Sequence, residues 1–452
     1  MIESTLFSPL EKRATASLAT LYGFRMLGLF MVLPVLALHI DEYRGATPMM
    51  LGIILGAYGL AQAILQIPLG MLSDKIGRRP VILGGLALFV LGSVIAANAE
   101  SAVELVVGRV VQGAGAIAST LMALVSDLTS EENRTKAMAA IGASIGMSFM
   151  LAMILGPLIS SVMGLAGVFW VTALLGCLGV LIFLRFVPRR VALQSNRETS
   201  TDLSQMSRLL QDPNLLRLNI GIFTLHLALM AGFTVIPRLL SDELGITGDN
   251  LWWVYLCLLG GGFIAMLPVM ILGEKYQRQK VSFISAIITM ACTMLMLSVY
   301  RGALVTPMML LLFFAAFNLL EASLPSWMSK VCPPGQRGTA MGIYSTSQFL
   351  GAFFGGLLGG WSLQQFGVEG LFLLVGLALM TWAILALGLQ APRSLQTLVL
   401  HVGERDHADF AKLILKVPGV EDILIVEGEP LAYAKVDKKT INMLDLKPYF
   451  NR

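Results

Sequence analysis

Long apolar runs alternate with short polar breaks along most of the chain. Stretches of about twenty residues with almost no charge, the length an α-helix needs to cross a hydrocarbon core, recur between Ala16 and Leu389. They predict twelve spans: 16–40, 49–71, 80–99, 102–127, 137–161, 167–187, 218–240, 250–273, 281–300, 305–330, 338–363 and 370–389. Most breaks are too short for anything but antiparallel neighbours. The expected fold is therefore an all-α polytopic membrane protein of two six-helix bundles, 1–187 and 218–390. Between them, 188–217 reads as a linker in which Leu203, Met206, Leu209 and Leu210 fall at helical spacing, predicting a short amphipathic helix at the lipid surface.

From 391 to 452 the pattern changes. "TLVLHV" alternates like a strand, "DHADFAKLILKV" has helical spacing with Asp406 as N-cap, and "VEDILIVEG" and "LAYAKVD" read as two more strands. With "KKTINMLDLKPYF" as a second helix, the order β-α-β-β-α predicts a small ferredoxin-like α+β domain. Its first loop, "HVGERDHADF", contains no cysteine, and His401, Asp406, His407 and Asp409 read as surface and capping residues, so no metal site is expected.

Composition agrees with the pattern: 56% of the 452 residues are hydrophobic and 13% charged, where soluble domains carry roughly a quarter. The charges also orient the chain. Lys12, Arg13, Lys75, Arg78, Arg79, Arg134, Lys136, Arg185, Arg189, Arg190, Arg197, Arg208, Arg217, Lys275, Arg278, Lys280, Lys330 and Arg337 fall in or beside one set of loops, while the opposite set holds only Arg44, Arg238 and Arg301. The positive-inside bias predicts that both termini are cytoplasmic. Cations spread over so many loops do not form a nucleic-acid strip. Four scattered cysteines with no CxxC argue against a disulfide framework.

The two bundles look like a repeat. Shifted by 200, "SDKIGRRP" falls on "GEKYQRQK", and "ENRTKAMAAIGASIG" falls on "GQRGTAMGIYSTSQF" with Arg134 over Arg337. In "GMLSDKIGRRP", Gly70 permits close helix approach, Asp74 and Arg78 are four apart and able to pair, Arg78 and Arg79 suit anionic headgroups, and Pro80 suits a first helical turn.

These residues resemble the major facilitator superfamily, and the resemblance runs from about Ala16 to Leu389. Gly70, Leu72, Asp74, Gly77, Arg78 and Arg79 match that family's motif A, G-x-L-x-D-x-x-G-R-R/K. "RVVQG", from Arg109 to Gly113, is similar to motif B, and "LGPLISS" keeps Gly156 and Pro157 of the antiporters' motif C, with Ala152, Ser160 and Ser161 where glycines are usual. The resemblance implies a drug/proton antiporter of a bacterial inner membrane, working as a monomer without a cofactor. It also implies a motif A latch that braces an outward-open state: Asp74 near the start of the eleventh helix, Asp127 as partner of Arg78, and Arg134 nearby. "GAFFGGLLGG" in the eleventh helix is expected to pack against Gly70.

Ionisable groups deep in spans are costly and mark function. Glu321 is the carboxylate placed deepest, with Arg109, Gln112 and Arg25 as the other candidates for proton coupling. Tyr58, Gln62 and Gln66 recur at four-residue spacing on the second helix; with His226 and Asn318 they are the candidates for a substrate cavity near the midplane. One acid in an apolar cavity suits lipophilic cations. A proton-driven exporter of small amphipathic compounds is the leading expectation, with a membrane sensor whose tail binds a cytoplasmic ligand or partner as the alternative. No P-loop, GxSxG or HExxH is present, so an enzyme is not expected.

Overall fold

In a computed structural model of the chain, residues 7–188, 203–246, 248–333, 336–390, 395–402, 406–425, 431–437, 441 and 446 are described. The helices are α1 (Pro9–Phe30), α2 (Leu36–His39), α3 (Pro48–Ile76), α4 (Arg78–Ala97), α5 (Ala102–Ala114), α6 (Ala118–Asp127), α7 (Glu131–Phe186), α8 (Leu203–Gln211), α9 (Pro213–Phe233), α10 (Ile236–Arg238), α11 (Gly248–Lys275), α12 (Gln279–Val299), α13 (Val305–Val331), α14 (Arg337–Leu387) and α15 (His407–Leu415). Their starts follow the local sequence. Ser8 and Ser101 form capping boxes with Glu11 and Glu104, and Thr47 and Asp212 cap helices that begin on Pro48 and Pro213.

Among the described residues nine helices are long and apolar enough to cross a membrane. The count falls short of twelve partly because α7 and α14 each hold two expected spans, joined at Gly164 (φ 64°, ψ −171°) and Gly367 (φ 69°, ψ −165°). This is backbone that only glycine adopts readily, and the chain reverses there. Ser148 and Gly156 lie against Gly23 and Met31, in step with α1, whereas Thr172 and Arg185 bond Gly28 and Arg13 in the opposite order. In α14, Gly351 and Gly359 meet Phe223 and Ala231 of α9 in step, while Trp382 and Gly388 meet Gly221 and Arg217 in reverse.

Backbone conformation repeats along with the sequence. Positive φ occurs at Gly45, Gly77 and Gly164 in the first half and at Gly245, Gln277 and Gly367 in the second, at offsets of 200, 200 and 203. The first helix of each half breaks beside a proline, Pro34 and Pro237, which removes a backbone donor.

The halves meet on the side away from the termini. At Gly52 an added Cβ would lie 2.1 Å from the Gly356 carbonyl oxygen; Gly56 and Gly59 approach Phe353 and Phe349, and Gly360 approaches Pro48. Gly70, at the other end of α3, meets only Ser119 of α6. The expected packing of "GAFFGGLLGG" on Gly70 is thus corrected: the small residues of α14 seal the far ends of the halves. Beyond this seam, Arg238 bonds the Ala37 carbonyl at 2.6 Å and pairs with Asp41 at 2.5 Å. Among the described residues, every hydrogen bond recorded between the halves lies on this far face. Gly52→Leu is expected to disfavour the sealed far face by about 1–3 kcal/mol, the usual cost of overpacking. Lengthened spin-label distances between Thr47 and Trp361 are the readout, and unchanged distances would rule the seam out as the seal.

The amphipathic α8 does not lie free on lipid: Leu209 is buried and Met206 packs against the second half. In the tail, strands β1 (Leu395–His401), β2 (Val420–Ile425) and β3 (Leu431–Asp437) form an antiparallel sheet in the order β1-β3-β2, where the sequence expects them. Ala432, Ala434 and Val436 share a core with Phe410 and Ile414 of α15. Tyr433 and Lys435 are also buried, and the Lys435 ammonium donates to the carbonyls of Lys330 and Cys332 at the end of α13. The second helix expected in the tail falls largely outside the described residues.

Candidate functional site

Three groups of polar residues are gathered by the helices. The first is the α3–α4 turn, reduced to the single residue Gly77 (φ 96°, ψ 155°), a conformation that a Cβ would strain. The next residue, Arg78, is turned inward. Its Nη1 donates to Ser73 at 2.7 Å and to Asp74, and its Nε donates to Asp127 at 3.2 Å. The Asp127 side chain is 1% exposed and Arg78 9%, whereas Asp74 is 38% exposed. Arg134 lies within electrostatic range of Asp127. Arg79 points elsewhere, donating to the carbonyls of Val187 and Pro188, and Leu72 is exposed. Of the two headgroup anchors expected from sequence, Arg78 is turned inward and Arg79 donates to backbone carbonyls and lies over the Phe183 ring.

Sequence reasoning missed Glu11. Its carboxylate accepts the Ser130 N–H at 2.8 Å and the Ser8 N–H at 2.8 Å, so α1 caps the start of α7, whose own N-cap side chain makes no capping bond. Those backbone donors, Ser130 first and Ser8 second, hold Glu11 down to a pKa of about 2. A depressed folded-state pKa contributes stability that is complete above the ordinary value of 4.5 and is lost as pH falls through about 2. Glu11→Gln is expected to lower the thermal midpoint at neutral pH and to converge with wild type over that acid range. A gap that does not depend on pH would argue against the cap.

The second group lies inside the first half. Arg25, 1% exposed, donates from Nη2 to Tyr58 at 2.9 Å and to Gln62 at 2.7 Å, and Gln62 passes a bond to Gln66 at 3.0 Å. Arg109, also buried, bonds Gln112 at 3.0 Å, and Gln112 bonds Ser93 at 2.8 Å; the Arg109 guanidinium lies 5.1 Å from the Tyr58 ring centroid. Tyr58, Gln62 and Gln66 therefore form a buried ladder rather than an open wall, because Arg25 needs acceptors. Among the described residues, Nε and Nη1 of Arg25 have no acceptor. Motif C serves packing: Gly156 lets α7 approach the Met31 carbonyl, where a Cβ would come within 2.4 Å, and Pro157 lies inside the helix.

The third group is in the second half. His226 of α9 bonds Gln348 of α14 at 2.8 Å, and Glu321 of α13 comes within 3.9 Å of His226 Nε2 without a hydrogen bond to its Oε2. The Glu321 side chain is 37% exposed, although its Oε2, the oxygen facing His226, is buried. Tyr344 lies within its electrostatic reach. Phe317 packs on His226 and on Phe149 of the other half, whose ring touches Phe30. Asn318 is half-buried and outside the recorded network. Gln348 was not singled out from the sequence, although "YSTSQ" in an otherwise apolar span was the signal. No group of three or more metal-type ligands occurs among the described residues.

A family model described as Major Facilitator Superfamily matches residues 18–261 and 218–418. The chain is 41% identical over 443 residues to the inner membrane transport protein YajR of Escherichia coli (strain K12), covering 97% of each. It is 25% identical over 347 residues to the quinolone resistance protein NorA of Staphylococcus aureus (strain MSSA476), covering 74% of this chain and 86% of that one. Among solved structures, a bacterial homolog of the human lysosomal transporter Spinster, in an inward-facing and occupied conformation, superposes with a TM-score of 0.67 at 13% identity, covering 84% and 97% of the two chains. At that identity the likeness is one of fold.

Proposed function

Since the chain belongs to the major facilitator superfamily, we propose that it is a proton-driven antiporter that exports small amphipathic compounds by alternating access. The carrying observation is Glu321, a half-exposed carboxylate in mid-helix within 3.9 Å of His226. A carboxylate on a partly exposed side chain beside an imidazole can exchange a proton for substrate as its surroundings dry and wet. Arg25, Arg109 and Gln112 are read as the first half's share of the coupling, fixing the field that Glu321 faces. Tyr58, Gln62, Gln66, His226 and Asn318 are read as reaching substrate when the halves rock.

The seam at Gly52 and Gly356 with the Arg238–Asp41 pair supports reading this form as open toward the cationic face. Arg78, Asp74 and Asp127 then form the latch, which would engage α14 in the opposite form. Counting the two reversed helices twice and including α1 supports twelve spans. The loop charges support an inner-membrane protein with both termini cytoplasmic. The β1-β3-β2 order supports a ferredoxin-like tail. The similarity to the quinolone resistance protein NorA supports the choice of amphipathic drugs as first substrates.

The test is a proteoliposome carrying an internal pH dye. Under an imposed pH gradient, addition of a transported compound should release a flux of protons down that gradient as the compound moves the opposite way. A compound that binds without moving protons or itself, across a broad panel, would favour the sensor reading, in which the docked tail reports occupancy.

A further inference from the structure

Three guanidiniums from three helices converge at the cationic end of the first half: Arg13 of α1, Arg79 of α4 and Arg185 of α7. Arg13 Nη2 donates to the Arg185 carbonyl at 3.0 Å, and Arg79 Nη1 donates to the carbonyls of Val187 and Pro188, each at 3.0 Å. The Cζ atoms of Arg13 and Arg185 lie 5.4 Å and 5.7 Å from the centroid of the same ring, Phe186, and Arg79 lies 4.9 Å over Phe183. Among the described residues, neither Arg13 nor Arg185 forms an ion pair with a carboxylate. Below them, Leu178, Leu181 and Leu184 are exposed at three-residue spacing along α7 and lead directly to Arg185, with Phe186 exposed beside it.

We propose that this cluster is a binding site for one anionic phospholipid, its phosphate held by Arg13 and Arg185 and its acyl chains laid along Leu178, Leu181 and Leu184. Guanidinium pairs with phosphate through charge-assisted, often bidentate hydrogen bonds, and basic groups between helix ends on the cationic side of a membrane take acidic headgroups. Capping the carbonyls at and just beyond the end of α7 accounts for one bond of Arg13 and two of Arg79. It does not account for Arg185, whose side chain donates to no carbonyl among the described residues and lies over the exposed Phe186 ring. The leucine stripe is what selects a lipid over free phosphate. The site does not depend on the transport reading.

Native mass spectrometry of the full-length protein, released from detergent with phosphatidylglycerol, phosphatidylcholine or inorganic phosphate, tests it. The expected result is one retained phosphatidylglycerol with at least about tenfold preference over phosphatidylcholine and no competition from phosphate. Arg13→Gln with Arg185→Gln should abolish the preference, and Arg13→Lys with Arg185→Lys should keep most of it. Lys275→Gln with Lys280→Gln, an equal loss of charge in the second half, should leave it intact. Equal retention of both lipids, displacement by phosphate, or the same loss in the second-half control would each overturn the site.

Discussion

Glu321→Gln is expected to abolish gradient-driven accumulation while leaving substrate exchange at equal pH intact. If one proton is exchanged per substrate, each pH unit across the membrane contributes about 1.4 kcal/mol, roughly tenfold in the accumulation ratio. A two-unit gradient should therefore sustain about a hundredfold ratio in wild type and a ratio near one in the variant. Glutamine keeps the size and polarity of the side chain that sits 3.9 Å from His226, so a loss confined to gradient-driven movement isolates the proton. Retained accumulation by the variant would remove Glu321 from the coupling reaction. Gln348→Leu supplies a graded companion, since it strips His226 of its 2.8 Å partner without touching the carboxylate.

Arg78→Ala carries the largest expected cost in stability. It leaves Asp127, 1% exposed, without its guanidinium, and removing one partner of a buried pair costs about 3–5 kcal/mol. Asp74→Asn should cost far less, about 0–1 kcal/mol, because Asp74 is 38% exposed and water already screens its bond to Arg78. Adding Asp127→Asn to Arg78→Ala should recover part of the loss. Thermal midpoints in lipid nanodiscs give the comparison. Equal losses from Arg78→Ala and Asp74→Asn would show that burial does not rank these two pairs.

Much of this was legible in the residues. Apolar runs located the helices, and the strands of the tail fell where alternation put them. The pairing of Arg78 with Asp74 followed from their spacing and that with Asp127 from the family resemblance, while His226 and Glu321 were singled out by the cost of burying a titratable group. The seam between the halves was not legible. Glycines stand at both ends of α3, and the sequence does not say which of them meets the small residues of α14. Gly70 was the wrong end for this form, and Gly52 the right one. Gln348 was missed because a neutral amide in a polar patch carries no charge signal. Glu11 was missed because its role depends on where α7 begins in space, 119 residues further along.

The Lys435 contact with the end of α13 has a practical consequence. Under the proposed alternating access, a body anchored there rides with the second bundle, so a fluorophore on the tail is a pointer fixed to one wall. Energy transfer to a dye on the first bundle should swing with each turnover, while transfer to a dye on the second stays flat. The appendage thereby offers a way to watch single molecules cycle without placing a label in the pore.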